Sequence, residues 1–295
     1  MTALETVDEL ARSASPQPLV VLGLDATTTA VSMVEWAARE AIARGAALQI
    51  VTCTGLNCSA TCSAGHDRRL SEAVAATRNR HPLLSIAESA IRLDTQNALV
   101  DNAGRADLLI VGESQLGSCT RRLLGSASGA ALRRRSCPVI ALRGQQRQPL
   151  RRIAVGIDNS NAAATALDWA ADEADRQGAE LIIIHAAHRA GHAGDSLRSI
   201  DRTRGETQRT LDDAADRCTT RMGRAVSWEL IDGPPAAALA EASRSADLIA
   251  VGSRGTSGFK TMLFGSVARF VLENADCPVA VIHPRVRVAQ MSPDR

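Results

Sequence analysis

Apolar runs of five or six residues alternate with longer stretches of helical periodicity, and the alternation occurs twice. Leu19-Val20-Val21-Leu22-Gly23-Leu24 is apolar throughout and ends in Asp25; Ile153-Ala154-Val155-Gly156-Ile157 does the same and ends in Asp158. Continuous apolar runs of this length are what parallel strands covered on both faces require. Each is followed by a stretch with a 3.6-residue apolar period, Val34–Leu48 and Leu167–Leu181, which match almost residue by residue with Trp36 against Trp169 and Gly45 against Gly178. In the second copy Ser160 or Asn161 can start the helix and Gly178 can stop it. Further strands are expected at Leu181–Ala186, Val226–Ile231, Asp247–Val251 and Pro278–Ile282. Helices are expected at Gly205–Met222, Pro235–Ser245 and Ser266–Asn274.

The offset between the copies is 133 residues through Leu48 and 140 from Asp107, which matches Asp247. The seven extra residues are placed most simply in the loop after the second strand. A repeat this long reads as two whole domains, 19–143 and 151–285. An N-terminal arm (1–18), a polar linker (144–150) and a tail (286–295) complete the chain. Five strands alternating with four helices imply a doubly wound parallel sheet in each domain, Rossmann-like, with right-handed crossovers. In such sheets ligands sit at the carboxyl ends of the strands, where the strand order reverses. Asp158 and Gly252 would face one crevice there.

The stretch that carries chemistry is Gly252–Ser266, GSRGTSGFKTMLFGS. It lies between a strand and a helix start, and its glycines are spaced Gly252-x2-Gly255-x9-Gly265. Glycine admits φ > 0 and close backbone approach to an anion. The free N–H groups and dipole of a helix start favour negative charge. Ser266 is placed either to cap the helix or to give its hydroxyl to a phosphate. No Lys-Ser/Thr pair follows the last glycine, so this is not a Walker loop, and the spacing is not the dinucleotide fingerprint.

This spacing, on this strand-loop-helix arrangement, resembles the ATP-binding signature of the universal stress protein family, and Leu19–Pro284 resembles two such domains in tandem. The resemblance implies a five-stranded parallel sheet of order 3-2-1-4-5 and bound ATP, with Mg2+. It assigns Asp158 to the adenosine moiety, Ala186 to the base, and Gly252, Arg254, Gly255, Gly265, Ser266 and Val267 to the phosphates. It further implies pairing along the last strands, Val139–Leu142 and Val279–Ile282, within the chain or in a homodimer. In the first copy Asp25, Gly112, Gly125 and Ser126 fit the pattern, but Gln115 stands where the second glycine belongs, and Cys53 replaces Ala186. The N-terminal site is therefore expected to be the weaker one. The implied role is a nucleotide-dependent stress-response regulator or sensor acting on an unidentified protein partner.

Composition narrows the alternatives. Aromatic residues are 2% of the chain, with no Tyr, so a bound base would rest on aliphatic side chains and backbone. A net charge of +2 predicts no strong attraction to nucleic acid or anionic membrane, and the arginines at 121–122 and 133–135 read as solvated charge. No apolar run approaches the roughly 18 residues of a membrane span. The first 18 residues lack a basic start and an apolar core, so a cytoplasmic protein is expected. Seven cysteines, an odd number, fit a reducing compartment. Cys53, Cys58, Cys62 and His66 form a loop-like cluster of metal-ligand residue types, the basis of a rival reading as a metal or thiol-redox sensor. No motif places a general base by the phosphate loop, so catalysis beyond slow ATP hydrolysis is not expected. An interaction module without nucleotide is the remaining alternative.

Overall fold

Ten strands form among the described residues, the interior ones where the sequence is apolar on both faces. In the first half these are β1 (Leu19–Asp25), β2 (Ala47–Cys53), β3 (Ile86–Ile91), β4 (Leu108–Gly112) and β5 (Val139–Leu142). In the second half they are β6 (Arg152–Gly156), β7 (Glu180–Ala187), β8 (Ser227–Asp232), β9 (Leu248–Gly252) and β10 (Val279–Ile282). The computed structural model describes residues 17–25, 30–53, 60–91, 105–112, 137–187, 197–254 and 265–284. Its helices are α1 (Ala30–Ala43) and α2 (Ala60–Arg80) in the first half. The second half has α3 (Asn161–Gln177), α4 (Leu197–Met222), α5 (Pro235–Ala242) and α6 (Ser266–Asn274). None of the helices among the described residues is long and apolar enough to cross a membrane.

All ten strands join one sheet, in the order β3-β2-β1-β4-β5-β10-β9-β6-β7-β8. Each half has the expected order 3-2-1-4-5 and is parallel throughout. The seam between them is antiparallel, with Ala280 opposite Ile140 and Val279 opposite Ala141. The last strands thus pair within the chain, and the edge each would otherwise expose is consumed. β4, β5 and β10 are buried along their whole length, as interior strands must be, whereas β8 at the sheet edge is only partly covered.

Each face of the sheet carries its own core. Side chains of α1, α2, α3 and α4 pack on one face in a single cluster spanning both halves, including Trp36, Val74, Ala170 and Leu211. Leu239 of α5 and Val271 of α6 pack on the other, with Cys137 and Cys277. Burying Met33 and Val34 of α1 in this cluster is worth on the order of 1.5–3 kcal/mol for each side chain.

Local signals account for the helix ends. Ser160 is the N-cap of α3, its Oγ accepting the Ala163 N–H at 3.1 Å. Gly178 stops it in the left-handed region, at φ 68°. α4 starts at Leu197, eight residues before the expected Gly205. It has 26 residues against 21 in α2, so most of the seven-residue length difference is helix rather than loop.

The linker is tied to the second half. Gln145 N–H donates to the Asp276 carbonyl at 2.8 Å, and Arg143 donates to the Leu272 carbonyl. Gln148 reaches back to the Trp36 carbonyl of α1 at 3.2 Å.

Candidate functional site

In the second half, β6 lies between β7 and β9, so the strand order reverses on either side of it. Three segments meet at the carboxyl ends of these strands: the turn 157–160 after β6, the end of β7, and the root of the glycine-rich loop after β9.

The turn is built by short polar side chains. Asp158 Oδ1 accepts the Ser160 N–H at 3.1 Å, which folds the chain back into α3. Ser160, not Asp158, is the helix cap. Its hydroxyl also donates to the Arg254 carbonyl at 3.3 Å, so one serine ties the start of α3 to the loop root. Sequence reasoning marked Ser160 only as a cap. Its link to Arg254 spans 94 positions, which no local pattern reveals.

The loop root is pinned at both ends. Ser253 is buried; its N–H donates to the Ile282 carbonyl at 2.8 Å, and its carbonyl accepts the Gly265 N–H at 2.9 Å. Residues 253 and 265 are therefore hydrogen-bonded neighbours. A Cβ on Gly252 would lie 2.7–2.9 Å from backbone atoms of Ala162 and Ala163. Glycine is required there so that the first turn of α3 can lie against β9, not for an unusual φ. The expectation of φ > 0 is corrected at Gly265 as well, where φ is −64°.

Gly265, rather than Ser266, occupies the N-cap of α6, and no side chain caps that helix. Its first turn contains no acidic residue. Ser266 is exposed and Val267 half-buried. The start of α6 thus presents N–H groups and the positive end of the helix dipole with no side-chain cap and no acidic residue in its own first turn. Arg254 is half-buried at the opposite end of the loop. Gly255 lies outside the described residues.

Next to Asp158 is a cavity of about 270 Å³, lined by Ile157, Asn159, His185, Glu206, Thr210 and Leu211 among others. His185 Nδ1 lies 3.0 Å from the Ile157 carbonyl. A carbonyl only accepts, so Nδ1 carries a proton, and in the uncharged tautomer of that kind Nε2 is an acceptor. Ala186 follows on β7, half-buried. The sequence marks His185 as the residue before Ala186 and, with His188 and His192, as a metal-ligand type, not as part of this cavity; Glu206 it does not mark, because Glu206 comes from the part of α4 that only the fold brings here.

In the first half β1 pairs with β4 as β6 does with β9. Asp25 ends β1, in register with Cys53 on β2, and Gly112 ends β4. Gln115, Gly125 and Ser126 lie outside the described residues.

The cysteine cluster is partly repositioned. Cys53 is on β2, whereas Cys62 and His66 belong to α2 rather than to a loop, and Cys58 lies outside the described residues. Among the described residues no group of three or more His, Cys, Asp or Glu could hold a metal ion. Cys137 and Cys277 are buried, and burial first, then the charge of Asp107 or Asp247, pushes each thiol up to about 12. The thiolate is the reactive form. An aromatic disulfide reagent is therefore expected to leave Cys137 and Cys277 unmodified in the folded chain at pH 8 and to reach both after denaturation; modification of either in the native state, read by peptide mass, would contradict this.

A sequence model described as the universal stress protein family matches residues 19–143 and 149–283. A universal stress protein of Mycolicibacterium smegmatis is 28% identical over 291 residues, covering 90% of this chain and 97% of its own. One of Mycobacterium tuberculosis (strain ATCC 25618 / H37Rv) is 33% identical over 221 residues, covering 71% and 72%. Among solved structures, a universal stress protein from Archaeoglobus fulgidus DSM 4304 superimposes with a TM-score of 0.57 at 20% identity, over 90% of this chain and 96% of that one. A functionally unknown protein from Pseudomonas aeruginosa PAO1 gives 0.62 at 15% identity, over 91% and 93%. These structural likenesses show the fold.

Proposed function

This chain belongs to the universal stress protein family, and on that footing we propose that it binds ATP with Mg2+, chiefly in its C-terminal half, as a nucleotide-dependent regulator. The observation that carries this reading is the uncapped, acid-free start of α6, held beside Gly252 and Asp158 by the Ser253–Gly265 hydrogen bond.

The phosphates would lie on the N–H groups of Ser266 and Val267, with the Arg254 guanidinium opposite and Gly252, Gly255 and Gly265 leaving room for backbone approach. Mg2+ would bind through phosphate oxygens, with the Ser266 hydroxyl as its protein ligand. Asp158 would take the adenosine moiety and Ala186 the base. The adjoining cavity offers acceptors at Glu206 and His185 Nε2, which suits a base bearing an exocyclic amino group. Asp25, Gly112, Gly125 and Ser126 would form a weaker site in the first half. ATP bridging Asp158 and α6 would join the two sides of the crevice into one surface for a protein partner to read.

Calorimetric titration with MgATP tests the reading, together with native mass spectrometry of chain purified without added nucleotide. Gly265 has φ −64°, which any residue adopts, and Gly265→Glu puts a carboxylate at the helix start; it is expected to weaken ATP by tenfold or more, about 1.4 kcal/mol or more. Inosine triphosphate, with oxygen in place of the amino group, should bind more weakly than ATP to the unmodified chain. Equal ATP affinity in Gly265→Glu, or no bound adenine nucleotide at all, would overturn the proposal. Gly252 is unsuitable for this purpose, because any side chain there collides with α3.

A further inference from the structure

Glu40 on α1 and Glu173 on α3 are fully buried where the two halves meet. They are equivalent positions of the repeat, 133 residues apart, so the pseudo-twofold axis brings like charge to like. Arg44 forms ion pairs with both carboxylates. The position equivalent to Arg44 in the second half is Gln177, whose Nε2 donates to Glu40 at 2.9 Å and to Glu173 at 3.0 Å. Arg176, partly exposed, adds a bond of 2.7 Å to Glu173 alone. Glu40 therefore shares its single guanidinium with a second buried carboxylate.

Other charged groups on α1 and on the linker have partners of their own. Glu35 of α1 bonds Arg39, Arg80 and His81, and Arg147 of the linker faces Asp247. The strands beneath contribute aliphatic side chains such as Ile140, Leu142 and Ile282 to this cluster. Burial, then the charge of Glu173, push Glu40 up to about 7 against the attraction of Arg44.

We propose that Glu40 and Glu173 form a proton-operated clasp between the two halves, which tightens as the surroundings acidify. A proton taken from solvent sits on Glu40 and is donated to Glu173 in a carboxyl–carboxylate hydrogen bond, while Arg44 balances the remaining charge. When the proton leaves, two like charges share one buried cation in a dry seam, and the α1–α3 contact weakens. The folded chain holds this proton up to about pH 7, whereas an unfolded glutamate releases it near 4.5. The contribution is thus complete below about 4.5 and is lost as pH rises through 7.

The test uses the full chain, comparing it with Glu40→Gln, which mimics the protonated form, and Gln177→Arg, which supplies the missing second guanidinium. A 13C NMR titration of glutamate side-chain carboxyls should show one midpoint near 7, absent in Glu40→Gln and lowered in Gln177→Arg. From pH 5 to 8 the unfolding midpoint of the unmodified chain should fall by roughly 5–10 °C more than that of Glu40→Gln. Hydrogen exchange of the β5 and β10 amides, corrected for intrinsic rates, should slow on acidification in the unmodified chain only. An ordinary glutamate midpoint for Glu40, or the same pH dependence in Glu40→Gln as in the unmodified chain, would overturn the clasp.

Discussion

Gly144→Ala is expected to destabilise the chain by about 3 kcal/mol or more, read as a lower midpoint in urea. Gly144 sits at φ +53°, and a Cβ there would lie 2.2 Å from the Asp276 carbonyl oxygen. That oxygen cannot readily retreat. It accepts the Gln145 N–H, and the Asp276 N–H is itself held by Ser243 Oγ at 2.8 Å. Gly45→Ala is the internal control: its φ is +59°, but a Cβ would meet nothing within 4 Å. It should therefore cost only the left-handed strain, about 1–2 kcal/mol. The difference between the two variants isolates the packing of the linker on the second half, and equal losses would mean that the linker yields at little cost.

Arg44→Met is expected to cost about 3–5 kcal/mol at pH 8, because two buried carboxylates lose the cation they share. The sign of the pH dependence follows from Glu40, whose pKa is raised to about 7. Below that value Glu40 is neutral, one buried charge remains instead of two, and the loss at pH 5 should be smaller. Chemical denaturation at the two pH values checks this. Replacing Arg44, Glu40 and Glu173 together by apolar residues of similar volume should recover most of the loss, since no charge then stays buried. A loss that is the same at both pH values would show that Arg44 acts there through packing alone.

The repeat and its alternation of strands and helices were legible because they rest on local patterns that occur twice, whereas the strand order and the pairing of the last strands came from the family resemblance, which left pairing within the chain or in a homodimer open. Apolar runs ending in Asp25 and Asp158, serine before α3, and Gly178 after it each state a local rule, and the fold obeys them. What escaped the sequence depends on contacts between distant segments. Gly252 reads as a phosphate-loop glycine, yet its immediate duty is to admit the backbone of Ala162. Ser266 reads as a cap, but the cap position falls on Gly265 because the Gly265 N–H is drawn to Ser253. The start of α4 was missed because Leu197–Arg204 carries four charged residues and no glycine or proline boundary. Glu40 and Glu173 look like ordinary glutamates on amphipathic helices. Only their shared place in the repeat, combined with the seam at β5 and β10, puts them face to face.

The antiparallel seam also decides which way the two halves point. The strand ends at Gly112 and Gly252 come out on opposite rims of the ten-stranded sheet, because β5 and β10 run in opposite directions. Anything seated at one of these strand ends is therefore on the opposite rim from anything seated at the other. The chain is in this sense two-ended, like a plug with a socket at either end. The shared sheet and the α1–α3 contact are what join the two ends, so the variants that stiffen or loosen that contact also change how firmly the ends are held together.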